Sequence, residues 1–174
     1  MADLATVTRA APRGMITLRG DLAASKLKKV VKKIVGQTVP QSGQFLGEQT
    51  RGVAWMSPDE LLIVVPYDEA ADAIEQINKA LTGQHFLAAD VSDARAVFTI
   101  EGPDAREVLA RLCPVDLHRD SFRAGDFRRS RLAQIAAAFW MHETGFDLVC
   151  FRSVADYADG VLKNATGATR TGAL

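Results

Sequence analysis

One order of elements occurs twice in this chain, and that repetition restricts the fold more than any single motif. Leu18-Arg-Gly-Asp-Leu-Ala23 and Ile100-Glu-Gly-Pro-Asp-Ala105 each carry an apolar stretch into a short polar turn. The stretches themselves, Met15–Arg19 and Ala96–Ile100, are short and rich in β-branched residues, which predicts strands. After the first, Ala23, Leu27, Val30, Val31 and Ile34 recur at helical spacing, with Asp21 as the expected N-cap and Gly36 as the expected stop. After the second, Gly102-Pro-Asp-Ala105 puts a proline and an acid in the first turn of a helix lined by Val108, Leu109 and Leu112.

Each half then continues with a hairpin and a second helix. Val53–Met56 and Leu61–Val65 flank Ser57-Pro-Asp-Glu60, whose residues favour a tight reversal. In the second half, Gln134–Trp140 and Phe146–Phe151 flank His142-Glu-Thr-Gly145, where the glycine is expected to supply a positive φ. One closing helix starts near Asp68 with Ala70, Ile74, Ile77 and Leu81 on its inner stripe. The other is capped by Ser153, lined by Val154, Tyr157, Ala158, Val161 and Leu162, and stopped by Asn164. The fold class predicted is α+β: a tandem duplication of a β-α-β-β-α unit, with helices packed on antiparallel or mixed sheets that are paired or joined. Phe86–Val91 reads as a further strand linking the halves. No Pro- or Gly-rich linker separates them, so the expectation is one compact domain over 1–174, with repeats at about 15–83 and 96–164.

Lys plus Arg equals Asp plus Glu at 21 each, so no global field would draw nucleic acid or an anionic membrane. Charges interrupt every apolar run before the roughly 20 residues a spanning helix needs. Met1–Ala11 lacks the basic start and apolar segment of a secretory signal. Cys113 and Cys150 follow no metal or redox spacing, and a reducing cytoplasm is the expected location. The tail from Ala165 to Leu174 is expected to fray.

Chemistry-bearing groups are sparse. His85, His118 and His142 stand apart and form no HxH or HExxH pair, so no metal site is assigned. Both cysteines read as small core residues, since nothing nearby in sequence would lower a thiol pKa. No GxxxxGK or GxGxxG occurs, so no nucleotide cradle is assigned either. Two basic clusters remain. Lys26, Lys28, Lys29, Lys32 and Lys33 cover the outer face of the first helix, as a solvated surface or as a match for an acidic partner. Arg123, Arg128, Arg129 and Arg131 lie beside Phe122 and Phe127 in the long connection of the second half. A partner interface is the first reading of these arginines, an exposed loop the second and a small anionic ligand the third.

Val91–Cys113, Phe127–Trp140 and Val53–Val65, taken together, resemble the gamma subunit of heterotetrameric sarcosine oxidase, a likeness running through most of the chain. The resemblance extends distantly to the folate-binding domain of the glycine-cleavage aminomethyltransferase, and implies that fold. Folate enzymes of that kind carry an acidic pair after a hairpin glycine, where this chain has Ala136, Ala137 and Ala138. The resemblance therefore implies no catalytic carboxylate here.

By the same resemblance, the parent complex oxidises the N-methyl group of sarcosine to give glycine and peroxide, passing the methyl carbon to tetrahydrofolate when that acceptor is present. FAD, FMN and NAD are implied on the partner alpha, beta and delta subunits. None is implied on this chain, which lacks the glycine fingerprint a dinucleotide needs. The chain thus reads as an accessory subunit with no catalytic, cofactor or metal residues of its own. The alternative is a stand-alone module binding tetrahydrofolate or another small anion. The sequence does not separate sarcosine from another N-methyl amino acid as the parent substrate.

Overall fold

The structure, a computed structural model, describes residues 5–167. In chain order its elements are β1 (Thr6–Arg9), β2 (Arg13–Arg19), α1 (Ser25–Val35), β3 (Phe45–Glu48), β4 (Arg51–Ser57), β5 (Glu60–Pro66), α2 (Ala70–Ala80), β6 (Leu87–Asp90), β7 (Arg95–Glu101), α3 (Ala105–Ala110), β8 (Phe127–Leu132), β9 (Ile135–His142), β10 (Gly145–Phe151) and α4 (Ala155–Thr166). They form two compact units: Pro12–Asp93, and residues 5–11 with 94–167. Each unit has its own five-stranded sheet, ordered β3-β4-β5-β2-β6 in the first and β8-β9-β10-β7-β1 in the second, with every neighbouring pair antiparallel. The α+β class and the duplicated β-α-β-β-α order are therefore present, on two separate antiparallel sheets.

The edge strands follow a rule the repeats alone do not state. β6 follows α2 and pairs with β2, the strand that opens its unit. The equivalent place beside β7 is taken by β1, from the start of the chain. The linking strand expected at Phe86–Val91 is thus β6. Thr6–Arg9, expected only not to be a signal, is an edge strand.

In the first unit, Ile16, Leu18, Val53, Leu61, Ile63 and Val65 meet Leu27, Val30, Val31, Ile34 and Val35 of α1 and Ala70, Ala73 and Ile77 of α2 in one core. Period-two strands and 3.6-period helices present these side chains to the same layer. Leu61–Val65 are all buried, so both faces of β5 exclude water and its sequence is continuously apolar rather than alternating. Gly36 ends α1 as expected, at φ 74°, its N–H donating to the Lys32 carbonyl at 2.9 Å.

Three expected caps are not caps. Asp21 accepts from the Ala23 N–H at 2.9 Å and shapes a turn before α1, whose N-cap is Ala24. Asp68 and Ser153 each lie inside a 3₁₀ turn, Tyr67–Glu69 and Arg152–Val154, that leads into the helix. Those turns supply backbone acceptors for the first helical N–H groups, Tyr67 for Ala70 and Arg152 for Ala155, and neither helix has a side-chain cap. At the other end, Asn164 does not stop α4, which continues through Ala165 and Thr166, both buried. The rest of the expected frayed tail, residues 168–174, lies outside the described residues.

The second unit fills its core differently. Its α3 has 6 residues against the 11 of α1, and Leu112, expected on its inner stripe, falls just beyond its end. Residues 111–126 make up the deficit by sending Cys113, Leu117 and Phe122 into the core beside Phe98, Phe139, Phe146 and Leu148. Phe122 lies 5.6 Å from Phe139 and 6.0 Å from Phe146, between ring centroids. In the β9–β10 hairpin the reversal is Glu143-Thr144, and Gly145 is the first residue of β10 without a positive φ. Glycine is needed there because a Cβ would run into the carbonyl oxygen of Ile100 on β7.

Candidate partner surfaces

The structure divides the arginine cluster. Arg123 is exposed in a tight turn, its N–H donating to Asp126 Oδ2 at 2.7 Å and its carbonyl accepting from the Asp126 N–H at 2.9 Å. The other three are on β8, an edge strand rather than the loop the sequence suggested. Leu132 faces the core, so alternation puts Arg128 and Ser130 on its face and Phe127, Arg129 and Arg131 on the other. Arg128 is half-buried; its guanidinium donates to the Phe127 carbonyl at 2.8 Å and sits 5.4 Å from the centroid of Phe122. Arg129 and Arg131 are exposed, opposite Ala138 and Ala136 of β9.

The aromatics beside these arginines are not surface residues. Phe122 is fully buried, and Phe127 is buried in a stacked pair with Trp140 at 6.5 Å. What β8 offers outward is cationic side chains along a strand edge. Such an edge resists indiscriminate strand pairing and still admits an acidic partner.

The lysines of α1 are all exposed, while Leu27, Val30, Val31, Ile34 and Val35 between them are buried. Periodicity alone revealed this division.

Other charged groups serve the framework. Arg111 pairs with Glu107 at 2.5 Å and donates to the Ala165 carbonyl at 3.2 Å, tying α3 to α4. Glu107 and Arg111 stand at i,i+4, a spacing that was legible beforehand. Arg51 holds both oxygens of Glu69, at 2.7 and 2.6 Å, and the Ile34 carbonyl at 2.9 Å. Arg106 donates to the Leu117 carbonyl at 2.8 Å and contacts Met141 Sδ, fastening the long connection to β9. Burial, with Arg119 nearby, lowers its pKa. Asp147 is fully buried in β10 and accepts from Thr99 Oγ1 at 2.8 Å. Its signal in the sequence was one acid within an apolar run.

Cys113 is buried in the core, and burial pushes its thiol up to about 12. Cys150 is also buried and raised by burial, partly offset by Arg9 and Arg95. Neither environment supplies a thiolate near neutral pH. Among the described residues no three His, Cys, Asp or Glu side chains gather as a metal site. His85 and His118 are exposed, and half-buried His142 ends β9 beside Thr144 Oγ1 at 3.2 Å. No helix of the described residues is long and apolar enough to cross a membrane.

Sarcosine oxidase subunit gamma of Corynebacterium sp. (strain P-1) is 32% identical over 108 residues, 61% of this chain and 52% of that protein. The chain thus spans about half the length of the curated relatives it matches. Among solved structures, heterotetrameric sarcosine oxidase from Corynebacterium sp. U-96, in complex with pyrrole 2-carboxylate, contains a similar chain. Its TM-score is 0.85 at 24% identity, covering 96% of this chain and 87% of that one. The glycine cleavage system aminomethyltransferase T from Bartonella henselae shares the fold, with a TM-score of 0.67 at 15% identity over 92% of this chain and 45% of that one. The model of the sarcosine oxidase, gamma subunit family matches residues 19–168, and this chain belongs to that family.

Proposed function

We propose that this chain is the accessory gamma subunit of a flavin-dependent sarcosine oxidase, assembled with larger alpha and beta subunits and a delta subunit in the cytoplasm. The family match over residues 19–168 carries the reading. The charged groups that the fold brings together support it, because Glu107–Arg111, Arg51–Glu69 and Thr99–Asp147 each hold the framework. FAD, FMN and NAD then belong to the partner subunits, where sarcosine is demethylated to glycine. The described residues of this chain include no glycine-rich phosphate cradle to receive them. The outward contribution of this chain is surface, and Arg123, Arg128, Arg129 and Arg131 are assigned to a partner contact.

The test is co-expression with the alpha, beta and delta subunits of a sarcosine oxidase. The isolated chain should be colourless and inactive toward sarcosine, and should co-purify with the flavoproteins. Stoichiometric flavin on the isolated chain, or failure to co-purify, would overturn the reading. Replacing Arg128, Arg129 and Arg131 together by Ala tests the surface. A desolvated arginine contact costs on the order of 2–5 kcal/mol of binding when truncated, and a solvated rim arginine close to nothing. Undiminished assembly of a variant that still melts cooperatively would reject β8 as the contact.

A further inference from the structure

α1 carries Lys26, Lys28, Lys29, Lys32 and Lys33, all exposed, and no acidic residue anywhere along its length. A solvated helix ordinarily mixes signs, because i,i+4 pairs of opposite charge help it and like pairs oppose it. Here the cations at 26, 29 and 33 share a stripe and repel one another. Among the described residues none of the five makes an ion pair or hydrogen bond through its ammonium group. The chain as a whole is neutral, so this is a local concentration of charge.

That stripe borders a groove. A cavity of about 640 Å³ lies between α1 and α2, lined by Lys26, Lys29 and Lys33 on one side and by Asp72, Glu75 and Lys79 on the other. Val30 and Ala80 contribute apolar lining. Four cations face two carboxylates, leaving an excess of two positive charges, to which Lys28 and Lys32 add outside the groove. From Lys26 to Lys33 the stripe runs seven residues, about 10 Å along the helix.

We propose that this groove docks an acidic segment of a partner subunit, a polypeptide with several carboxylates spaced along about 10 Å. The proposal rests on the gamma-subunit reading and assigns a second contact, separate from β8. The mixed lining selects the class of partner. Asp72 and Glu75 would repel the uniform negative charge of a nucleic acid or an anionic lipid surface, but they accept donors from a polypeptide that also carries amides and some cations. The apolar lining suits side-chain methylenes of such a segment and offers nothing to a phosphate.

The test uses the full chain co-expressed with the alpha, beta and delta subunits of a sarcosine oxidase. Two triple variants are compared with wild type: Lys26→Glu with Lys29→Glu and Lys33→Glu, and the same positions changed to Gln. Both residue types are adequate helix formers, so thermal melts of the isolated chain should match wild type. Partner affinity should fall tenfold or more for the Glu variant and a few-fold for the Gln variant, on the order expected for three rim charges. Raising the salt should weaken the wild-type complex and narrow its difference from the Gln variant. Wild-type affinity in both variants would overturn the groove assignment and leave the gamma-subunit reading standing. Failure of the wild-type chain to assemble would remove both. Capture of wild type, but not of the Glu variant, on vesicles containing acidic phospholipid or on duplex DNA would give the groove to a uniform polyanion and overturn the polypeptide assignment.

Discussion

The first unit closes its core with a full-length helix, whereas the second closes the same position with a shortened helix and a long connection. α1 supplies Leu27, Val30, Val31, Ile34 and Val35, and its outer face is left to lysines. α3 supplies Ala105, Val108 and Leu109, and residues 111–126 add Cys113, Leu117 and Phe122. The clustered cations Arg128, Arg129 and Arg131 of the second unit lie on its edge strand β8, whereas those of the first unit lie on α1. One layer order can therefore be filled by different segments. In each unit the element that bears the clustered cations also supplies core side chains, α1 from its inner face and β8 through Leu132.

The strongest way to break this comparison is Phe122→Ala. If the connection is a core element, the substitution should cost about 3–5 kcal/mol of stability, read from denaturant unfolding. A cost under about 1 kcal/mol would make residues 111–126 an ordinary surface loop. Next in size is the contrast between two ion pairs. Arg111→Met removes the guanidinium paired with Glu107, whose side chain is 8% exposed, and should cost about 3 kcal/mol. Arg51→Met leaves Glu69, 47% exposed, able to take water, and should cost about 1 kcal/mol or less. Equal costs would erase the distinction between a charge buried in the framework and a clamp at its surface.

Alkaline pH should act on the second unit, which holds both cysteines. Cys113 is raised from 9.0 to about 12 in the folded state. Below pH 9 the thiol is neutral in both states and the full stability is present. Above it the unfolded chain ionises first, so stability falls through the window from 9 to 12, by at most about 1.4 kcal/mol per pH unit. Denaturant melts between pH 8 and 10.5 should show this slope, and Cys113→Ala should flatten it. An unchanged slope would place the alkaline sensitivity elsewhere.

The smallest effect concerns the β8–β9 reversal. Ala133 has φ 51°, and no other non-glycine among the described residues has a positive φ. Ala133→Gly should relieve that strain and raise stability by about 0.5–1 kcal/mol, less the entropy glycine adds to the unfolded chain. A loss on substitution would show that the turn holds Ala133 without strain.

Much of the framework was legible because its signals are local. The helices α1, α2 and α4 follow from apolar spacing, and the stop at Gly36 follows from a residue that takes positive φ freely. β5 and β10 follow from continuous apolar runs. The duplication was legible because two turns of similar chemistry stand at equivalent places. The candidate surface was half legible. The cationic residues were found, but Arg128 was not separated from Arg129 and Arg131, because the segment read as a loop.

From its sequence alone, then, this protein has its repeated order, its inner faces except for Ala23 and Tyr157, which are exposed, and its lack of nucleotide and metal motifs. These depend on side-chain identity at short spacing. Only the tertiary structure decided that β1, β3 and β8 are strands. Thr6–Arg9, Phe45–Glu48 and Phe127–Leu132 have weak or polar patterns, and the backbone of a neighbouring strand makes them extended. It also decided why position 145 must be glycine, since the close approach of the Ile100 carbonyl comes from a strand more than forty residues earlier. Edge strands and close approaches are properties of pairs of segments distant along the chain, and no local window of the sequence contains both members.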